Sequence, residues 1–136
     1  MIATLILGTN LGDREENLKE AIRRLSLSLG DPLEASDPIE TEALGFDGPA
    51  FLNQIIRFEC KLEPECLLAV CKKIEKSMGR TDRPEYRSGK RIYHDRIMDI
   101  DILTYGDLVI STPELTIPHP QMETRPYVKA LLERMD

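Results

Sequence analysis

Apolar residues along the chain fall into two helical stripes and three strand-like runs. Ile2–Gly8 is almost continuously apolar and short, which predicts a buried strand. The run Gly8-Thr9-Asn10-Leu11-Gly12 then predicts a turn, and Asp13 with Glu16 forms a capping box for a helix. Leu18, Ala21, Ile22, Leu25 and Leu29 recur at helical spacing, and Gly30-Asp31-Pro32 ends the stripe. Residues 33–41 look extended, and Thr41–Pro49, with two glycines and a proline, predicts a loop. Phe51–Leu62 predicts a long strand with Leu52, Ile56, Phe58 and Cys60 mostly on one face. Pro64 suits a first helical turn; Leu67, Val70, Cys71, Ile74 and Met78 carry the second helical stripe, closed by Gly79. After a basic loop, Arg96–Leu103 predicts another strand. Tyr105-Gly106-Asp107-Leu108 predicts a hairpin turn into Val109-Ile110. The three prolines of Thr112–Pro120 argue against regular structure there, and a last helix is predicted from about Arg125 to the end. The order β-α-β-β-α-β-β-α predicts an α+β fold: a ferredoxin-like α/β sandwich with an antiparallel sheet and helices packed on it. At 136 residues, with no linker or repeat, residues 1–136 are expected to form a single domain.

Composition narrows the classes. The 41% apolar and 31% charged fractions are those of an ordinary globular protein. No stretch approaches the roughly 20 apolar residues that cross a bilayer. The first residues lack the basic region of a signal peptide, so a cytoplasmic protein is expected. Cys60, Cys66 and Cys71 are odd in number and lie in apolar patterns, which predicts reduced core thiols. Their spacing fits no zinc site. Neither a P-loop nor a GxGxxG motif occurs.

Candidate chemistry concentrates in residues 72–103. In Arg96-Ile97-Met98-Asp99-Ile100-Asp101-Ile102-Leu103, strand alternation puts Asp99 and Asp101 on one face and Ile100 and Ile102 on the other. Two carboxylates about 7 Å apart repel unless a cation lies between them. A hard divalent ion, above all Mg²⁺, accepts such ligands and completes its shell with water and phosphate oxygens. Two exposed aspartates on an edge strand are the plainer alternative. Residues 72–96 weigh against it, because they hold nine of the eighteen Lys and Arg against only Glu75, Asp82, Glu85 and Asp95. A cationic segment leading into a carboxylate pair suits phosphoryl transfer. The net charge of −6 argues against a nucleic-acid surface.

With these residues in hand, the chain resembles the 6-hydroxymethyl-7,8-dihydropterin pyrophosphokinase family. The resemblance rests on Gly8-Thr9-Asn10-Leu11, Phe51-Leu52-Asn53, Gly79-Arg80, Arg96-Ile-Met-Asp99-Ile-Asp101, and Ile117-Pro118-His119-Pro120 with Arg125, in order along essentially the whole chain. It implies transfer of pyrophosphate from ATP to the hydroxymethyl group of the pterin, with two Mg²⁺ ions held by Asp99 and Asp101. It also implies that Arg80 and Arg96 act beside the aspartates in catalysis, and that Glu75, Arg80, Arg96, His119 and Arg125 bind ATP. Thr41, Leu44, Phe51, Asn53 and Tyr127 would take the pterin, Phe51 and Tyr127 as the two rings that sandwich it. ATP and the pterin are the expected partners, with no nucleic acid or membrane, and a monomer is expected. A nucleotide- or pterin-binding module with weakened catalysis is the alternative.

Overall fold

In the computed structural model, the first strand forms the middle of the molecule because nearly every residue of it is apolar and buried. The structure describes residues 1–42, 49–79, 85–87, 90–92 and 97–135, with 85–87 and 90–92 as backbone. Strand β1 (Ile2–Thr9) is flanked on both sides, antiparallel, by β4 (Phe51–Glu59) and β7 (Asp99–Tyr105). Two short strands, β2 (Glu34–Ala35) and β3 (Ile39–Thr41), pair in succession with the outer edge of β4. Taking β2 and β3 as one interrupted edge strand, the first strand lies between the third and the last, which is the ferredoxin-like arrangement the sequence predicts. The sheet is open and antiparallel, and its fold class is α+β.

Each face of the sheet has its own cover. Helices α1 (Arg14–Leu29) and α2 (Pro64–Ser77) pack on one face through Leu18, Ala21, Leu25, Leu67, Cys71 and Ile74. Those side chains meet Leu5, Leu7, Ile56, Phe58, Ile100 and Ile102. The Asp13 carboxylate caps α1 by accepting from Glu16 N–H (3.1 Å), and Gly79 leaves α2 with φ +104°, a left-handed conformation suited to glycine. On the opposite face lies α4 (Pro126–Met135), whose Val128 and Leu131 close over Ile6, Ile55 and Leu103. A β-bulge follows that contact. Thr4 pairs with Thr104 but Leu5 pairs with Ile102, so Leu103 is the extra residue. Leu103 follows Asp99 and Asp101 onto the α4 face by alternation, and the extra residue returns Tyr105 to the face of α1 and α2.

Five local expectations need correction. Gly8 and Thr9 are the last rungs of β1, not the start of a turn. The basic segment contains a paired hairpin, β5 (Glu85–Arg87) with β6 (Lys90–Ile92), rather than loop alone. Leu108 N–H turns back to Tyr105 O (3.1 Å), but the chain does not then re-pair with β7. Instead β8 (Ile110–Ser111) pairs with β9 (Thr116–Ile117), so Thr112–Pro120 does carry regular structure. The prolines fall outside the two pairs Ile110↔Ile117 and Ser111↔Thr116, so no ladder hydrogen bond is lost to them. Among the cysteines, Cys60 and Cys71 are buried but Cys66 is exposed, one position off the stripe of Leu67, Cys71 and Ile74. Burial pushes the Cys71 thiol far above its usual range, which suits an inert core thiol.

Candidate functional site

α4 covers only part of its face of the sheet, and the remaining end is polar. Strand register fixes what lies there. Gly8 of β1 pairs with Asn53 of β4 on one side and with Asp99 of β7 on the other. Paired residues share a face, so Asn53, Gly8 and Asp99 form a row across three strands. The next row inward is Ile55, Ile6 and Asp101, where the apolar cover begins. The expectation that Asp99 and Asp101 share a face, with Ile100 and Ile102 buried behind them, is met. Glycine at position 8 keeps this row shallow: a Cβ there would sit 3.1 Å from Asn53 Oδ1 and 3.7 Å from the Phe51 ring.

On the β4 side, Asn53 is buried and its Nδ2 donates to Thr41 Oγ1 (2.8 Å) and Ile39 O (3.3 Å). With both amide protons engaged by β3, Oδ1 is left facing Gly8 as an acceptor. The approach to Phe51 is braced from two directions. Asn10 Nδ2 donates to Pro49 O (3.0 Å), and Arg14 Nη1 donates to Ala50 O (2.9 Å). Thr41, Asn53 and Phe51 thus lie together, as the sequence suggests.

On the β7 side, Asp101 Oδ2 accepts from Gln121 Nε2 (3.0 Å) in the short helix α3 (Gln121–Thr124). The Asp101 carboxyl is held above its usual range, first by burial and then by the charge of Asp99. His119, the Gln121 hydrogen bond and Arg125 pull the other way. His119 is tied in at two points. Its N–H donates to Leu103 O (2.9 Å), and its Nδ1 accepts from Gln121 N–H (3.1 Å), which makes Nε2 the ring's donor. Arg125 Nη1 donates to Gln121 Oε1 and to Tyr127 Oη, each at 3.2 Å. Tyr127 packs its ring against the cluster under α4. Asp101, His119, Arg125 and Tyr127 therefore form one connected group, with Gln121, which sequence motifs passed over, at its centre.

Glu75 is placed differently from the others. It lies on the helical side of the sheet, is buried, and its Oε2 accepts from Ile100 N–H (2.8 Å), between the two aspartates. Leu44, Arg80 and Arg96 lie outside the described residues.

The donor set can be tested against a metal. Asp99 and Asp101 offer hard oxygen ligands from one strand face, and Asp101 is half-buried beside a like charge, a strain that a cation relieves. Among the described residues no group of three or more His, Cys, Asp or Glu converges, so an all-protein cage is not formed there. Two carboxylates fit Mg²⁺ when water and phosphate oxygens complete its shell.

One end of the open α+β sheet thus gathers a carboxylate pair and an oriented amide. The model of the 7,8-dihydro-6-hydroxymethylpterin-pyrophosphokinase family matches residues 4–136. The 2-amino-4-hydroxy-6-hydroxymethyldihydropteridine pyrophosphokinase of Porphyromonas gingivalis is 40% identical over 130 residues, covering 94% of this chain and 86% of the relative. Enzymes of the same name from Aquifex aeolicus (40% over 129 residues; 93% and 76% covered) and Bacillus subtilis (36% over 133; 96% and 75%) are also similar. The chain belongs to the 7,8-dihydro-6-hydroxymethylpterin-pyrophosphokinase family. It is a diphosphotransferase of folate biosynthesis, with ATP as co-substrate. Among the described residues no helix is long and apolar enough to cross a membrane.

Proposed function

We propose that the polar end of the sheet is the active site, and that residues 1–136 act there as one pyrophosphokinase domain, a cytoplasmic monomer. The observation that supports this most is the row Asn53–Gly8–Asp99, which brings the Asn53 amide across β1 from the carboxylate pair. Asn53 Oδ1 accepts from an N–H on the edge of the heterocycle, while Thr41 holds the amide in that orientation. Phe51 and Tyr127 take the two faces of the ring, with Leu44 contributing from the loop. The absence of a side chain on Gly8 leaves room for the flat ring to lie over β1.

Asp99 and Asp101 hold Mg²⁺, two ions in the complete complex. When bound, the metal neutralises charge on the triphosphate and helps orient it. Arg80, Arg96 and Arg125 present guanidinium groups to phosphate oxygens, and His119 offers Nε2–H. Glu75 contributes to the ATP site by fixing β7 from beneath, through Ile100 N–H. The pterin hydroxymethyl oxygen attacks the β-phosphorus of ATP. The bond from that phosphorus to the oxygen bridging the α- and β-phosphates breaks, AMP leaves with that oxygen, and the hydroxyl proton is lost. Bringing the two substrates together is the chief work of the chain, because phosphoryl transfer asks for positioning and charge stabilisation.

The test follows AMP release from ATP and 6-hydroxymethyl-7,8-dihydropterin, with and without Mg²⁺. AMP formation that requires both the pterin and the metal is expected. Binding of both substrates without AMP would contradict the transfer activity and select a binding module instead.

A further inference from the structure

Gln121 carries no motif, yet each of its polar groups is bonded to a residue of the proposed site. Its backbone N–H donates to His119 Nδ1 (3.1 Å), and its carbonyl accepts from Arg125 N–H (3.0 Å). Its side-chain Nε2 donates to Asp101 Oδ2 (3.0 Å), and its Oε1 accepts from Arg125 Nη1 (3.2 Å). The same guanidinium nitrogen reaches Tyr127 Oη (3.2 Å). Gln121 is only 4% exposed, so these bonds are made away from bulk water, where a side chain that cannot make them leaves its partners unsatisfied.

The chemistry of the two ends fixes the amide. An ionised Asp101 only accepts, and Arg125 only donates, so the Gln121 amide has one orientation. A carboxylate at this position would keep the acceptor for Arg125 but face Asp101 with a like charge. An ammonium would serve Asp101 but repel Arg125. A neutral group that donates at one end and accepts at the other is what the gap requires.

We infer that Gln121 is a positioning residue for pyrophosphoryl transfer, whose amide holds Asp101 and Arg125 in one mutual arrangement and so couples the metal-and-phosphate half of the site to Tyr127 on the pterin half. The inference rests on the proposed roles of Asp101, Arg125 and Tyr127. It goes beyond them in making the two halves interdependent: loosening Gln121 disturbs pterin binding even when no metal or ATP is present.

The experiment uses the full chain with Gln121→Met, which keeps the length and loses both side-chain bonds, and Gln121→Glu, which keeps only the acceptor for Arg125. Thermal unfolding, steady-state AMP formation and titration of metal-free protein with 6-hydroxymethyl-7,8-dihydropterin are measured for each. Residues that orient metal ligands are typically worth about 10–100-fold in activity. Gln121→Met is expected to lower kcat within that range while unfolding within a few degrees of the parent, and to weaken metal-free pterin binding severalfold. Gln121→Glu is expected to recover pterin affinity but not kcat. Parental kcat and pterin affinity in Gln121→Met would overturn the inference. If Gln121→Met does not fold, Gln121→Glu decides: low kcat with retained pterin affinity supports it, and parental kcat overturns it. If the parent protein forms no AMP, the transfer activity has failed and the metal-free titration judges Gln121 by itself: weakened binding in Gln121→Met supports the coupling, and unchanged binding overturns it.

Discussion

Replacing Asp101 with asparagine should make the metal-free protein more stable while destroying its activity. The Asp101 carboxylate is half-buried beside Asp99, two strand positions away. At about 7 Å and an effective dielectric constant of about 20, two such charges repel by about 2 kcal/mol. Burial adds to this penalty, and His119, Gln121 and Arg125 offset part of it, so the charged carboxylate is held at a net cost at neutral pH. Asparagine removes the charge and still offers Gln121 Nε2 an acceptor. The sign of the pH dependence follows from the raised carboxyl. Just above pH 3.8 the folded state binds more protons than the unfolded state, so parental stability falls as pH rises through that window. The advantage of Asp101→Asn is therefore full at pH 7, shrinks as pH falls toward 3.8, and is gone below it. A chain of this size gains about 3–5 °C in Tm per kcal/mol. Calorimetric or CD-monitored melting in EDTA should show Asp101→Asn melting a few degrees higher at pH 7. With Mg²⁺ and a non-hydrolysable ATP analogue the order should reverse, because only the parent gains stability from the ligand. A lower Tm for Asp101→Asn in EDTA would refute the claim that the pair is held together at a cost.

Gly8→Ala should fold, but its methyl group, 3.1 Å from Asn53 Oδ1, should weaken pterin binding at least tenfold in a direct titration; unchanged affinity would show that the heterocycle does not lie over β1. Leu131→Ala removes the 1%-exposed centre of the cluster under α4 and should cost about 2–4 kcal/mol in urea unfolding, with a Tm drop of about 10 °C. Glu20, whose carboxyl is drawn down to about 2 by hydrogen bonds from Arg23 and Arg24, should give a small stabilisation that is present above pH 4.5 and lost as pH falls through 2. Urea midpoints of Glu20→Gln and the parent should differ at pH 6 and converge near pH 2, and a gap that widens on acidification would contradict this.

The two helices and the long strands were legible in the sequence because each has a period that its own residues carry. The shared face of Asp99 and Asp101 was legible for the same reason: alternation along one strand is local. The row Asn53–Gly8–Asp99 was not, because it depends on the register of Gly8 with residues 45 and 91 positions away in sequence. Gly8 looked like the start of a turn because glycine is a turn residue; its place inside β1 follows from the ring and amide that crowd it. Residues 105–117 misled for a related reason, since a turn beside an apolar pair predicts a hairpin but does not say which strand the pair will join. Cys66 was drawn into the core by the company of apolar neighbours, although its helical phase faces outward. Gln121 lies in a four-residue helix too short to show a period. Its one signal was its spacing of four from Arg125, the distance at which helical side chains meet.

The central claim is that Asp99 and Asp101 together hold the metal that presents ATP. Titration of Mn²⁺, an EPR-visible surrogate for Mg²⁺, into the protein with a non-hydrolysable ATP analogue tests it most directly. Binding in the parent chain, with loss of at least tenfold in affinity in both Asp99→Asn and Asp101→Asn, is the predicted result. Equal Mn²⁺ affinity in all three proteins would contradict it.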